Sequence, residues 1–159
     1  MANITIISVG TIKEDYLKSA LDEYKKRISQ YAKIDEISIK EERIADEDNV
    51  AQIKKALSCE GEKITAAIPT GAYRIALCIE GSAYTSEELA KIVGGACDTH
   101  GKIAFIIGSS HGLAPEVKSA CDLRLSFSKM TFPHQLMRVI LSEAIYRSFA
   151  IIKGKRYHK

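Results

Sequence analysis

The stretch KIAFIIGSSHG, residues 102–112, sets six residues with almost no polar alternation directly against a loop bracketed by two glycines. An unbroken apolar run of that length predicts a strand covered on both faces, as in a parallel sheet under helices. The loop then meets a short helix opened by Pro115, whose fixed φ suits a first helical turn. Working outward, AYRIALCIE (72–80) predicts a third and central strand ending at Gly81, and Leu123 to Phe127 a last one. Ile4 to Val9, stopped by Gly10, predicts the first strand, and Ile34, Ile37 and Ile39 the second. Between them, Leu17, Ala20, Leu21, Tyr24 and Ile28 recur at helical spacing after Asp15 as a candidate cap. Asp46 to Cys59 predicts a second helix, with 61–71 a short helix or turn. Thr85 and Glu88 form a capping-box pattern before Leu89, Ile92 and Val93, with Gly94-Gly95 weakening that helix's end. His134 to Ile152, opened by Pro133, is apolar around most of its circumference, so it is buried on more than one side. Alternating strands and helices give an α/β fold: a mostly parallel sheet with helices on both faces, as one domain over residues 1–159.

Composition bounds the function. With 159 residues, 46% hydrophobic and 27% charged, the chain builds a core without metal or disulfides, which excludes disorder. Arg138, Glu143 and Arg147 interrupt the longest apolar helix, so no membrane span is expected. No basic region precedes Ile4, so a secretory signal is not expected and the protein reads as cytoplasmic. Cys59, Cys78, Cys97 and Cys121 stand at least 19 residues apart; they read as reduced, mostly buried thiols, with no metal site.

Charge is uneven. From Ser126 onward there are seven Lys/Arg and one acidic residue, against 16 basic and 19 acidic in the first 125, an asymmetry that points to an anionic partner, nucleic acid first. In a parallel sheet ligands bind outside the carboxyl ends of the strands, which selects Gly81-Ser82, Gly108 to Gly112 and the segment after Leu125. The glycine loop is neither G-x-G-x-x-G nor a Walker loop, and serves equally as a plain turn. His111 and His134 have no nucleophile on a recognisable elbow beside them, so no hydrolase triad is read. His134 reads as a locally satisfied helix-start residue, and Glu143–Arg147 as a structural i, i+4 pair. The terminal KGKRYHK (153–159) joins cations to an aromatic ring and an imidazole, suited to phosphate contact and base stacking or to nothing beyond a charged tail.

The segment LSFSKMTFPHQ (125–135), with Ile107-Gly108 upstream and Tyr157-His158-Lys159 at the end, closely resembles the ribosomal RNA large-subunit methyltransferase H family over essentially the full chain. The resemblance implies a SPOUT-class fold with a C-terminal trefoil knot, and a cytoplasmic homodimer. It further implies transfer of a methyl group from S-adenosylmethionine to N3 of a pseudouridine in 23S ribosomal RNA, on the ribosome. By that motif Leu77, Gly108, Phe127, Ser128, Lys129, Met130, Thr131 and Phe132 would surround the cofactor. Tyr157, His158 and Arg138 would serve catalysis, and Lys155, Arg156 and Lys159 would hold RNA, with the tail meeting the partner's pocket. Many relatives carry Gly-Gly where this chain has Gly108-Ser109, so the pocket rim differs in its fine contacts. Two alternatives stand beside it: a non-catalytic RNA-binding domain, and a SPOUT enzyme acting on another RNA, such as a transfer-RNA ribose.

Overall fold

The computed structural model of the chain describes residues 1–157; His158 and Lys159 lie outside them. Five strands, β1 (Ala2–Val9), β2 (Ala32–Ile39), β3 (Tyr73–Ala83), β4 (Lys102–Ile107) and β5 (Leu123–Ser126), alternate with five helices. These are α1 (Asp15–Ile28), α2 (Val50–Ala67), α3 (Ser86–His100), α4 (Pro115–Ser119) and α5 (His134–Ile152). The strands form one sheet in the order β2-β1-β4-β3-β5, every pair parallel.

Period-two alternation divides the core. Ile4, Ile6, Ile75, Ile103 and Phe105 point to one face with Val93 of α3 and Leu141, Ile145 and Phe149 of α5. Ile7, Val9, Ala76, Ala104 and Ile106 point to the other, against Ile64 of α2 and Val117 of α4. Helices thus cover both faces, which is why β1 and β4 are largely apolar, with Thr5 and Ser8 of β1 themselves buried. Contacts with both α1 and α3 account for the apolar circumference of α5.

The structure corrects five readings, the last of them at the end of β3. The central strand is β4, with β3 next to the edge. α2 continues through Gly61 to Ala67, because this glycine brings α2 against α4: an added Cβ would lie 3.0 Å from Val117 Cγ2. α3 likewise continues past Gly94 and Gly95 to His100, ending at left-handed Gly101. α1 is preceded by Glu14, with Asp15 as its first residue and no side-chain cap. The Thr85–Glu88 capping box forms as read.

β3 also runs past Gly81. Leu125 opposes both Leu77 and Ser82, so Cys78–Gly81 bulge between two paired stretches. A Cβ on Gly81 would sit 2.8 Å from the carbonyl carbon and oxygen of Arg124, so glycine is required by close backbone approach. Gly81→Ala is expected to cost about 1–3 kcal/mol by overpacking, read as a fall of about 3–10 °C in Tm. An unchanged Tm would contradict this packing.

Candidate functional site

The carboxyl ends of β3, β4 and β5 open into a cleft of about 640 Å³, within the range of small-molecule sites. Its walls come from the bulge Leu77–Glu80, Ile107 with the loop Gly108–Leu113, Lys118 of α4, the segment 125–133 without Ser126 and Lys129, and His134 and Met137 of α5. Most of this lining is apolar or backbone, with hydroxyls from Ser109, Ser110, Ser128 and Thr131.

Each wall is set locally. Gly108 packs on the loop's far side so closely that an added Cβ would overlap the Gly112 carbonyl and come within 2.9 Å of Leu113 Cγ. Gly112 has φ +87° and donates its N–H to the Ser109 carbonyl at 2.9 Å, closing the turn. The loop after β5 is held by Ser126 Oγ donating to the Ser128 carbonyl and Met130 N–H donating to Ser128 Oγ, both 3.0 Å. At the rim His111 Nε2 lies 2.6 Å from Glu47 Oε2, and Lys118 donates to Glu80 and holds that carboxyl below its usual range. Burial pushes the Cys78 thiol up, and the Cys121 thiol to about 11. All four cysteines are unpaired and only partly buried, less than the sequence suggests.

Of the residues read as surrounding a cofactor, Leu77, Gly108, Phe127, Ser128, Met130, Thr131 and Phe132 line this one cleft. Lys129 is exposed and does not. Cys78, Ile79, Glu80, Lys118 and Met137 line it without having been read from the sequence. The strand-end rule pointed at this edge, but the bulge that turns Cys78–Glu80 inward leaves no pattern in sequence.

Arg138 lies outside the cleft lining. Its side chain is 4% exposed and donates to the Gly10 carbonyl, and burial lowers its pKa. Its Nε and the Oε1 of Glu36 are the buried side-chain polar atoms without a hydrogen-bond partner among the described residues. The guanidinium is enclosed between the end of β1 and α5.

The tail is described through Tyr157. Gly154 at φ +64° donates to the Ile151 carbonyl at 3.0 Å and Lys155 N–H to that of Ala150 at 2.8 Å, a Schellman ending that turns the chain back along α5. Tyr157 then packs on Tyr146, ring centroids 4.7 Å apart, under the Arg147 guanidinium, and donates to Glu143 Oε1 at 3.1 Å. Glu143 lies six residues beyond Met137, the last α5 residue of the lining, about 9 Å along the helix from it. Burial, then the Glu143 bond, push the Tyr157 phenol up to about 12. Lys155 and Arg156 are exposed; the readings on His158 and Lys159 fall outside the described residues.

The chain that forms this cleft matches known proteins over essentially its whole length. The family model described as "Predicted SPOUT methyltransferase" matches residues 2–158.

The chain belongs to the SPOUT methyltransferase family.

It is similar to proteins named "Ribosomal RNA large subunit methyltransferase H" from Shouchella clausii (51% identical over 159 residues) and Clostridioides difficile (47% over 158), covering 99% of each chain. The counterpart from Caldicellulosiruptor bescii is 50% identical over 156 residues, 98% of this chain and 99% of that one. A crystal structure described as a probable methyltransferase from Bordetella pertussis Tohama I shares the fold, with a TM-score of 0.56, 14% identity and coverage of 92% and 96%. In this SPOUT methyltransferase no helix among the described residues is long and apolar enough to cross a membrane, and none of its described His, Cys, Asp and Glu residues cluster as a metal site.

Tyr157 is expected to ionise at about pH 12 in an absorbance titration, and Glu143→Gln to lower that value by removing a neighbouring negative charge. An unshifted tyrosine titration in the variant would contradict the docking of the tail.

Proposed function

We propose that this chain transfers a methyl group from S-adenosylmethionine to N3 of a pseudouridine in a hairpin of 23S ribosomal RNA, as a cytoplasmic homodimer acting on the ribosome. The observation that carries the reading is the cleft itself. Its apolar walls, glycine loop and 127–133 cover suit a nucleoside with a thioether-like arm, and the relatives of like length bear the matching name. One domain with the segment from β4 to α5 tied as a trefoil knot belongs to the same reading.

S-adenosylmethionine, when bound, supplies an electrophilic methyl group on its sulfonium. Leu77, Leu125, Phe127 and Phe132 would hold the donor against an apolar wall, and the backbone around Gly108 would orient it. Alignment for in-line displacement then carries most of the rate. The N3 imide holds its proton at neutral pH, so a nearby base or cation favours the anion. Tyr157, neutral to about pH 12, is not that base; its part is to stack on the acceptor ring. His158 is the group of the right class to accept the proton, with Lys155, Arg156 and Lys159 on phosphate. The tail is assigned to the partner's cleft, a reading supported by the docking of Tyr157 on α5 about 9 Å beyond the last lining residue of its own chain's cleft.

Calorimetric titration with S-adenosylmethionine is expected to give saturable binding at one site per chain, abolished by Gly108→Arg. Failure to bind near millimolar, about −4 kcal/mol, would instead favour an RNA-binding domain. Deleting residues 157–159 is expected to abolish methyl transfer while leaving cofactor affinity within about threefold; full activity, or lost affinity, contradicts the role given to the tail.

A further inference from the structure

Two opposite charges meet in the mostly apolar lining of the cleft. Among the described residues that form it, Glu80 is the one carboxylate and Lys118 the one ammonium, and Lys118 Nζ donates to Glu80 Oε1. They come from different walls, Glu80 from the bulge that interrupts β3 and Lys118 from α4. Both are set by fixed backbone. Gly81, next to Glu80, rests on the Arg124 backbone with no space for a β-carbon, and Val117, next to Lys118, is buried in the core with Ile64 of α2. The imidazoles of the lining are placed elsewhere: His111 Nε2 lies 2.6 Å from Glu47 Oε2, and His134 Nε2 stands beside Gly10, after β1.

Stability does not account for the pair. The Glu80 side chain is 59% exposed and that of Lys118 24%, and ion pairs open to water add little to a fold. Charges fixed in an apolar wall discriminate among ligands instead, because a ligand that covers them without meeting them leaves them desolvated and unpaired. The donor read for this cleft has the matching feature. Besides its nucleoside and sulfonium, S-adenosylmethionine carries a carboxylate and an ammonium on one carbon of its amino-acid arm. Laid against the pair in the opposite sense, that carboxylate accepts from Lys118, which keeps two N–H donors beyond the one given to Glu80, and the ammonium donates to Glu80, whose two oxygens accept more than one bond. The four charges then alternate in sign around a ring. The ribose diol calls for no cation and would leave Lys118 unused, and an RNA phosphate would meet the Glu80 carboxylate as a like charge.

We propose that Glu80 and Lys118 seat the amino-acid arm of the donor, and so set the preference of the cleft for a nucleoside that carries a zwitterion. The inference rests on the reading of the cleft as the S-adenosylmethionine site.

The test is calorimetric titration of the full chain, Lys118→Met and Glu80→Gln with three thioether nucleosides, none of which bears the sulfonium charge. S-adenosylhomocysteine keeps the whole arm, its decarboxylated form keeps only the amine, and methylthioadenosine lacks both charges. Each substitution is expected to weaken S-adenosylhomocysteine about tenfold while changing methylthioadenosine by less than about threefold. The decarboxylated ligand is expected to lose less than about threefold on Lys118→Met, since the group that Lys118 meets is already gone. Both residues are partly exposed, so Tm is expected to stay within about 2 °C of the unmodified chain, and methylthioadenosine binding shows that each variant keeps its cleft. Unchanged S-adenosylhomocysteine affinity would overturn the proposal. Equal losses for S-adenosylhomocysteine and methylthioadenosine would do so too, by placing the pair at the nucleoside rather than the arm. Absence of binding of both S-adenosylmethionine and S-adenosylhomocysteine by the unmodified chain would overturn the donor-site reading and this inference together, whereas normal binding with variants indifferent to the arm overturns this inference alone.

Discussion

The tightest constraint in the molecule is the approach of Gly108 to the backbone of Gly112 and Leu113, which leaves no space for a β-carbon. It lets the chain leave the buried central strand β4, reverse within five residues and descend into α4 without moving away from the sheet edge. Had the turn been wider, its backbone would occupy the space that is now cleft. Gly81 does the corresponding work on β3, where contact with the Arg124 backbone allows Cys78–Glu80 to swing inward between two paired stretches. Two close backbone approaches, with a cross-sheet core dividing cleanly between helix layers, build the site before any side chain contributes chemistry.

Much of this was legible in the sequence where a signal was both local and physical. The apolar runs at 4–9 and 102–107, the Thr85–Glu88 cap and the bounds of α5 follow from periodicity and capping and recur in the structure. Glycine was the main source of error. Gly61 and Gly94 read as weak points, yet each lies where a helix meets a neighbour: Gly61 against Val117 of α4, Gly94 against Ile152 of α5. A glycine that permits close helix packing and one that ends a helix are the same letter, and only the partner tells them apart. The order of strands was likewise hidden, since it depends on long-range pairing.

The candidate site divides in the same way. Residues carried over by the family motif mostly gather at one cleft, because a contiguous loop and a strand end move as units. Arg138 stands outside the lining: on an apolar helix a cation can point inward, and here it bonds to the Gly10 carbonyl. The tail was read as a loose cationic end. Its anchoring depends on Gly154 adopting a left-handed φ and on an aromatic and ionic seat formed by Tyr146, Arg147 and Glu143. That seat holds Tyr157 against α5.

The central claim is the chemistry performed at that cleft, and the product tests it most directly. Ribosomes lacking the modification would be incubated with the protein and isotopically labelled S-adenosylmethionine, and the RNA digested and analysed by nucleoside mass spectrometry. The account predicts one labelled nucleoside, N3-methylated pseudouridine, from the large-subunit RNA. A label on a ribose hydroxyl or in transfer RNA, or no label with active cofactor binding, would contradict it.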